Sequence, residues 1–127
     1  MIQFARLDHI LMCIPEGQTE RAREFYGHVL GLREIPGEHP SGAIWFQIAD
    51  IQIHLREEAG STHSKRHPAF EVADLSEAEQ YLIDQGRSIE YSSEIDGRQR
   101  LFFRDPFDNR IELLQFDTMQ SQPTPVH

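Results

Sequence analysis

Three histidines and one glutamate have the residue types of a metal site, and they recur at a fixed interval along the chain. The interval from His9 to His67 equals the interval from His54 to Glu112. Neutral imidazoles and a carboxylate together bind divalent ions of intermediate softness, such as zinc, nickel, iron(II), cobalt or manganese. If the four side chains project into one hollow, they predict a metal centre with open positions for water and substrate oxygens.

Each of these residues also has an ordinary interpretation. His54 lies in the alternating stretch IQIHL and fits a solvent-facing strand position, whereas His67 precedes Pro68 and fits a loop. Glu112 fits the polar side of an amphipathic strand. The residues alone therefore leave two alternatives open, a shared metal site and four unrelated polar positions.

The shared interval belongs to a longer internal repeat. When LDHILMCI is placed above RHPAFEVA with His9 over His67, the hydrophobic pattern of the two halves coincides without gaps. The matched pairs are Phe25 with Ile83, Ile44 with Phe102, Trp45 with Phe103, Ile53 with Ile111 and Leu55 with Leu113. Such self-similarity indicates two copies of one structural unit.

Each copy is predicted to fold as a strand, a helix and three further strands. The first helix carries an apolar stripe that ends at Gly31, and the second begins at a capping box of Ser76 and Glu79 and ends at Gly86. The stripes are Ala22, Phe25, Tyr26, Val29 and Leu30, then Ala78, Tyr81 and Leu82. The later strands are expected at about 32–36, 43–48 and 51–56, then at about 87–91, 99–104 and 110–116.

The predicted class is α+β, with two βαβββ modules that form a curved mixed sheet around a central cup. We expect one domain, consisting of module one at 5–57, a linker at 58–64, module two at 65–117 and a flexible tail at 118–127. In the last hairpin, the stretch RDPFDNRIELL supplies the Asp-Pro and Asp-Asn pairs typical of a turn between two strands.

The alternation of the strands decides which side chains face the helices. Ile10, Met12 and Ile14 suit the helix-covered face, so His9 and Cys13 are expected on the opposite face. By the same argument, His54 and Glu112 face away from the helices, because their neighbours on the strand are apolar. Glu71 shares the face of His67 and is a weaker candidate for a catalytic base.

Composition excludes several classes of function. Lysine and arginine total 12 against 21 acidic residues, which gives a net charge of -9 and disfavours binding to nucleic acid or to anionic membranes. Cys13 is the one cysteine, so no intrachain disulfide can form, which fits a reducing, cytoplasmic location. The N-terminal stretch is interrupted by charged residues and predicts neither a signal peptide nor a membrane span.

The motifs LDHI, FYGHVLGL, HPAFEVADL and FFRDPFDNRIELLQ strongly resemble the vicinal oxygen chelate superfamily, the glyoxalase, bleomycin resistance and dioxygenase family. The resemblance covers about residues 5–116. It implies paired modules, usually in a homodimer, and a divalent metal held by His9, His67 and Glu112. His54 maps to a fourth position, where glyoxalase-type enzymes often carry glutamate and epimerases glutamine.

The resemblance implies a metal-dependent lyase, isomerase or dioxygenase that chelates vicinal oxygens of a small-molecule substrate. Glu112 is the expected catalytic carboxylate, which binds the metal and acts as a base. Arg104, Phe102 and Cys13 are the expected substrate-binding residues. The alternative is a metal-free binding or sequestering protein of the bleomycin-resistance type.

Overall fold

The computed structural model describes residues 1–117, so the predicted tail at 118–127 lies outside the described residues. The chain divides into two compact units, one from Met1 to His63 and one that begins at Ser64. Each unit contains a small open mixed sheet and helical segments, which confirms the predicted α+β class. Within residues 1–117, no helix is both long enough and apolar enough to span a membrane.

Unit 1 has a four-stranded sheet with the order β1-β4-β3-β2. Its elements are β1 (His9–Ile14), α1 (Thr19–Arg23), a π-helical segment (Glu24–Val29), β2 (Arg33–Ile35), a 3-10 turn (Pro40–Gly42), β3 (Ile44–Ile48) and β4 (Ile51–Glu57). Strand β1 runs parallel to β4, and the other pairs are antiparallel. The predicted order of strand, helix and three strands is therefore present in this unit.

The first helix is not α-helical throughout its length. After α1, the backbone widens into the π-helical segment, in which the amide of Leu30 donates to the carbonyl of Phe25 at 2.9 Å. Gly31 then adopts a φ of 71°, which is the left-handed conformation that commonly ends helices and favours glycine. The expected end of the helix is thus confirmed, and the chain turns directly into β2.

Unit 2 has a three-stranded sheet with the order β5-β7-β6. Its elements are β5 (Ala69–Glu71), α2 (Leu75–Asp84), β6 (Arg98–Arg104) and β7 (Arg110–Phe116). Strand β5 is parallel to β7, as β1 is to β4 in unit 1. The strand predicted at 87–91 is wrong, because within the described residues only Glu90 bridges to Phe102. The surrounding residues are largely exposed and polar and offer little apolar surface for a longer pairing.

The start and the buried face of α2 also differ from the prediction. Asp74 is the N-cap, and its side chain accepts a hydrogen bond from the amide of Glu77 at 3.0 Å. Leu75 and Leu82 are the buried residues of α2, whereas Tyr81 is 44% exposed. The helix therefore starts two residues earlier than the proposed Ser76 box implies. Of the predicted stripe, Leu82 is buried as expected, whereas Tyr81 is not.

The repeat holds for the parallel strand pairs but shifts by one residue in the hairpins. Leu11 lies opposite His54 and Ala69 lies opposite Glu112, as the constant interval requires. Across the antiparallel pair, however, Trp45 faces His54 whereas Phe102 faces Glu112. Trp45 is therefore equivalent to Phe102 and Ile44 to Leu101. The predicted matches of Trp45 with Phe103 and of Ile44 with Phe102 are wrong.

The hairpin loops explain this shift. Strands β3 and β4 are joined by the two residues 49–50, whereas β6 and β7 are joined by 105–109. In the longer loop, Asp105 is 4% exposed, and its side chain accepts hydrogen bonds from the amides of Phe107 and Asn109, each at 2.9 Å. These bonds fix the turn and with it the register of β6 against β7.

Candidate functional site

His9 and His54 lie on the face of the unit 1 sheet that carries no helix. The opposite face is packed under the helical segments, where the hydroxyl of Tyr26 donates to the sulfur of Met12 at 3.9 Å. The buried residues of that face include Met12, Ile14, Phe46, Ile53 and Leu55. The alternation argument therefore placed both histidines on the correct face.

On this helix-free face, four aromatic rings form a continuous stack. His39 stacks on Trp45, Trp45 on His54, and His54 on His9, with centroids 4.0 Å apart at every step. The interplanar angles are 9°, 4° and 14°, so all four rings are close to parallel. Trp45 and His39 thus belong to the same site as the predicted histidines and hold the imidazole of His54 in one orientation.

A carboxylate orients the imidazole of His9. The Nδ1 atom of His9 lies 2.9 Å from Oδ2 of Asp8, and this hydrogen bond is the main reason that the pKa of Asp8 is lowered. Because the carboxylate is an acceptor, the neutral ring of His9 carries its proton on Nδ1 and its lone pair on Nε2. A carboxylate that orients a histidine in this way is a common partner of metal ligands.

His54 is 8% exposed and is held by contacts within its own unit. Burial is the main cause of its lowered pKa, followed by the repulsion of His9. The neutral form that metals require is therefore favoured. Its Nε2 atom lies 2.9 Å from Oε1 of Gln52, so this nitrogen already has a hydrogen-bonding partner.

In unit 2, His67 and Glu112 are in direct contact. The Nε2 atom of His67 lies 3.0 Å from Oε1 of Glu112, which is 5% exposed. The Nδ1 atom of His67 lies 2.8 Å from the carbonyl oxygen of Lys65 and must donate to it. A neutral imidazole would therefore turn a lone pair towards the carboxylate, so a cation, either a proton or a metal ion, is required between Nε2 and Oε1.

The ring of Phe102 lies beside this pair. Phe102 lies directly across the strands from Glu112, and its ring meets that of His67 edge-on with centroids 4.9 Å apart. The guanidinium carbon of Arg110 lies 3.8 Å from the centroid of the same ring, and that of Arg100 lies 5.3 Å from it. The pair is therefore flanked by an aromatic ring and two cations.

The other two predicted substrate-binding residues are engaged within the fold. The thiol of Cys13 donates to Oε2 of Glu58 at 2.6 Å, and its pKa is raised by burial and by this carboxylate. Arg104 donates from Nη1 to the carbonyl of Asp108 at 2.7 Å, which ties it to the 105–109 turn. Glu71, the weaker base candidate, is exposed at the end of β5.

Within residues 1–117, the structure forms no group of three or more His, Cys, Asp or Glu side chains suited to a metal ion. It does form two pairs, the stacked His9 and His54, and the contacting His67 and Glu112. The roles of Asp8, His39, Trp45 and Arg110 were missed by the sequence analysis. Adjacency to His9 could have indicated Asp8, and the two-residue period from Glu112 could have indicated Arg110, whereas His39 carries no such signal.

The fold and these residues define a class, that of small α+β proteins built from two related strand-and-helix units. The family model described as Glyoxalase/Bleomycin resistance protein/Dioxygenase superfamily matches residues 6–113. The chain therefore belongs to this superfamily, as its motifs predicted. A comparison with curated proteins gives no match.

Solved structures agree with this assignment. A putative glyoxalase family protein from Bacillus anthracis is 34% identical, with a TM-score of 0.83 over 92% of this chain and 100% of that one. The fosfomycin resistance protein FosX from Listeria monocytogenes is 18% identical, with a TM-score of 0.73 over 93% and 96%. TnmS3, an antibiotic binding protein from Streptomyces sp. CB03234, is 18% identical, with a TM-score of 0.71 over 91% and 100%. The last two likenesses are evidence for the fold alone.

Proposed function

We propose that the protein is a divalent-metal-dependent enzyme of the lyase, isomerase or dioxygenase type that chelates vicinal oxygens of a small molecule. Its ligands are His9, His67 and Glu112, with His54 as the fourth predicted residue. The observation that carries the proposal is the 3.0 Å contact between Nε2 of His67 and Oε1 of Glu112.

The distance between Nε2 of His67 and Oε1 of Glu112 fits two neighbouring ligand atoms of one metal ion. Two ligand atoms that lie about 2.1 Å from one ion and at a right angle to each other are about 3.0 Å apart. The tautomer of His67 also fits, because donation from Nδ1 to the carbonyl of Lys65 leaves Nε2 as the nitrogen that faces the carboxylate. His9 has the same arrangement, with Nδ1 on Asp8 and Nε2 left for a ligand.

A bound divalent ion would act as a Lewis acid that polarises a substrate oxygen. In the protein itself, Asp8 holds the ring of His9 in orientation, and the carbonyl of Lys65 does so for His67. Glu112 is the proposed general base, and its burial beside Phe102 limits the access of water.

Elemental analysis of protein purified without a histidine tag tests the proposal. We expect about one divalent ion per chain and a melting temperature that falls on chelation. His67→Ala and Glu112→Gln should each weaken metal binding by more than the roughly 10–100-fold that loss of an outer-shell partner causes. His28→Ala is the matched control, since His28 lies on the exposed helical surface. A chain that holds no stoichiometric metal, and whose melting temperature does not change on chelation, would contradict the proposal of a metal-dependent enzyme.

The stack in unit 1 favours a second candidate, a metal-free binding protein. His54 is enclosed between Trp45 and His9 and already bonded to Gln52, so it supports the more exposed ring of His9, on which a planar ligand can stack. In that case, His54→Ala would reduce ligand binding and leave metal content unchanged. Metal analysis of this variant beside His67→Ala separates the two candidates.

We also propose that the protein is a homodimer that acts in the cytoplasm on a small molecule. The family resemblance supports the dimer, and a chain with one cysteine is compatible with a reducing compartment. Sedimentation equilibrium at several concentrations measures the mass, and a species of monomer mass at all of them would contradict the dimer.

A further inference from the structure

The helix-free face of unit 2 concentrates positive charge. Arg98, Arg100 and Arg104 alternate along β6 on the side of Phe102, and Arg110 lies opposite Arg104 on β7. Glu112 is two residues further along β7 and therefore shares this face. A chain with a net charge of -9 thus gathers arginines beside its proposed catalytic carboxylate.

Two of these arginines are occupied by neighbouring parts of the fold. Arg100 donates from Nε and Nη2 to the carbonyl of Ser93 at 3.2 and 2.9 Å. Arg104 donates to the carbonyl of Asp108 and lies 3.6 Å from Glu90. These bonds hold the side chains in place, so both residues act mainly as fixed positive charges.

Arg110 is much less satisfied. Its Nη1 donates to the carbonyl of Lys65 over a long 3.4 Å, and its Nη2 is accessible and makes no hydrogen bond within residues 1–117. Its Nε is buried without a partner, as is the Nε of Arg98 on the same face. No carboxylate of residues 1–117 forms an ion pair with Arg110. A guanidinium is normally matched by acceptors when it is partly withdrawn from water, so the free Nη2 of Arg110 can take an acceptor from a ligand.

The position of Arg110 relative to the proposed catalytic pair is fixed by Phe102. The guanidinium lies against the ring of Phe102, whose edge contact with His67 is described above. Residues two apart on one strand are separated by about 6.8 Å and point to the same face, so Arg110 and Glu112 are neighbours on this face of β7. An anionic group bound at Arg110 would bring the next few atoms of the same molecule to Glu112.

We propose that this face binds a compact oxyanion of the substrate, a carboxylate or a phosphoryl group, with Arg110 as its principal contact. The substrate class is therefore a small anionic molecule whose reacting oxygens lie a few bonds from the anionic group. The assignment to substrate rests on the proposed function, whereas the oxyanion site itself stands on unit 2 alone. Guanidinium suits this role because its planar N–H groups match the oxygens of both anions.

Isothermal titration with inorganic phosphate and with acetate tests the site. The titrations use the full chain, with and without chelator, at low and at high sodium chloride. We expect chelated wild-type protein to bind at least one of the two anions, and added salt to weaken the binding. Preference for phosphate would indicate a tetrahedral group, and preference for acetate a planar carboxylate.

Substitutions of Arg110 give the decisive comparison. Arg110→Gln should raise the dissociation constant about tenfold or more, and Arg110→Lys should raise it less because the charge remains. Arg33→Gln is the control, because Arg33 is exposed on β2 of unit 1 and should leave binding unchanged. Circular dichroism checks the fold of each variant, and Arg110→Lys decides the outcome if Arg110→Gln does not fold.

Three results would overturn the inference. They are the absence of measurable anion binding by the chelated wild type, equal dissociation constants for wild type and both Arg110 variants, and anion binding that requires a metal. Metal content is measured on the same samples. If metal content is normal but anion binding is unchanged in the Arg110 variants, this inference alone is wrong. If the wild-type chain holds no metal but Arg110→Gln loses anion binding, the proposed metal-dependent enzyme alone is wrong.

Discussion

The indole of Trp45 and the imidazole of His54 lie almost parallel, at 4° and with centroids 4.0 Å apart. Trp45 is the one tryptophan of the chain, so tryptophan fluorescence reports on this stack, in which His39 contacts the indole as well. The same cross-strand place in unit 2 is taken by Phe102, which faces Glu112. Each unit therefore sets an aromatic ring beside one of the predicted ligands.

This contact predicts a metal-dependent fluorescence signal. Nickel or cobalt(II) bound at His9 and His54 should quench Trp45, because an open-shell ion at an imidazole stacked on the indole provides a nearby quencher. Titration of chelated protein, followed by emission at fixed excitation, measures the effect. His54→Ala should abolish most of the quenching, whereas His28→Ala should retain it. Quenching that persists in His54→Ala would place the ion elsewhere.

The lowered pKa of His54 predicts a loss of stability in acid. Its ordinary value is 6.5, and burial and the charge of His9 lower it, while Asp8 opposes the shift. The unfolded chain therefore binds a proton at His54 more readily, so stability falls as the pH drops through the ordinary value. Urea unfolding of metal-free protein between about pH 8 and 5 measures the slope.

His54→Gln should make that slope shallower than in the wild type. His28→Ala serves as the control and should keep the wild-type slope, because His28 is exposed. Identical slopes for wild type and His54→Gln would show that other groups cause the acid dependence.

The thiol of Cys13 should react slowly at neutral pH. Burial and the carboxylate of Glu58 both raise its pKa, so little of the reactive thiolate is present. Alkylation by iodoacetamide as a function of pH should have its midpoint above that of a model thiol. Glu58→Gln should lower the midpoint without restoring the model value, since burial is the larger cause. A midpoint that does not respond to Glu58→Gln would mean that the carboxylate has no influence.

Loss of the Asp105 side chain should destabilise unit 2. Its carboxylate accepts from two backbone amides and from the side-chain amide of Asn109, each at 2.9 Å. Asp105→Ala leaves these donors without their partner, so we expect a loss of about 2–4 kcal/mol in the free energy of unfolding. Chemical denaturation measures it.

Asp105→Asn is the matched comparison, because it keeps one acceptor oxygen and the shape of the side chain. We expect it to lose less stability than Asp105→Ala. If the two variants were equally stable, the hydrogen bonds to Asp105 would not be what stabilises the 105–109 turn.

Features set by local periodicity were predictable from the sequence. The alternation of β1 and β4 placed His9 and His54 on the helix-free face, and the repeat predicted that Leu11 and Ala69 occupy equivalent positions. The Asp-Pro and Asp-Asn pairs predicted the last turn. The strand faces and the turn depend on neighbours within a few residues, and the repeat is found by comparing two stretches of the same chain, so a single sequence records all of them.

Features set by competition between local and distant contacts were not predictable. Both Asp74 and Ser76 are good N-cap residues, and the packing of Leu75 and Leu82 decides between them. The one-residue shift that faces Phe102 towards Glu112 depends on the hydrogen bonds of Asp105, and the sequence pattern of β6 gives no sign of it. The stack of His39 on Trp45 joins a loop to a strand and has no periodic signature.

The longer β6–β7 loop shows how a duplicated fold can acquire two different working surfaces. A change in turn length shifts one strand of the hairpin by a residue relative to its neighbour, so a different side chain lies opposite Glu112. The parallel pairing of β5 with β7, the strand that carries Glu112, keeps its alignment. Diversity among such proteins can therefore arise from insertions in a surface turn as well as from substitutions in the strands, and an engineer could exchange the aromatic neighbour of the carboxylate by editing that turn alone.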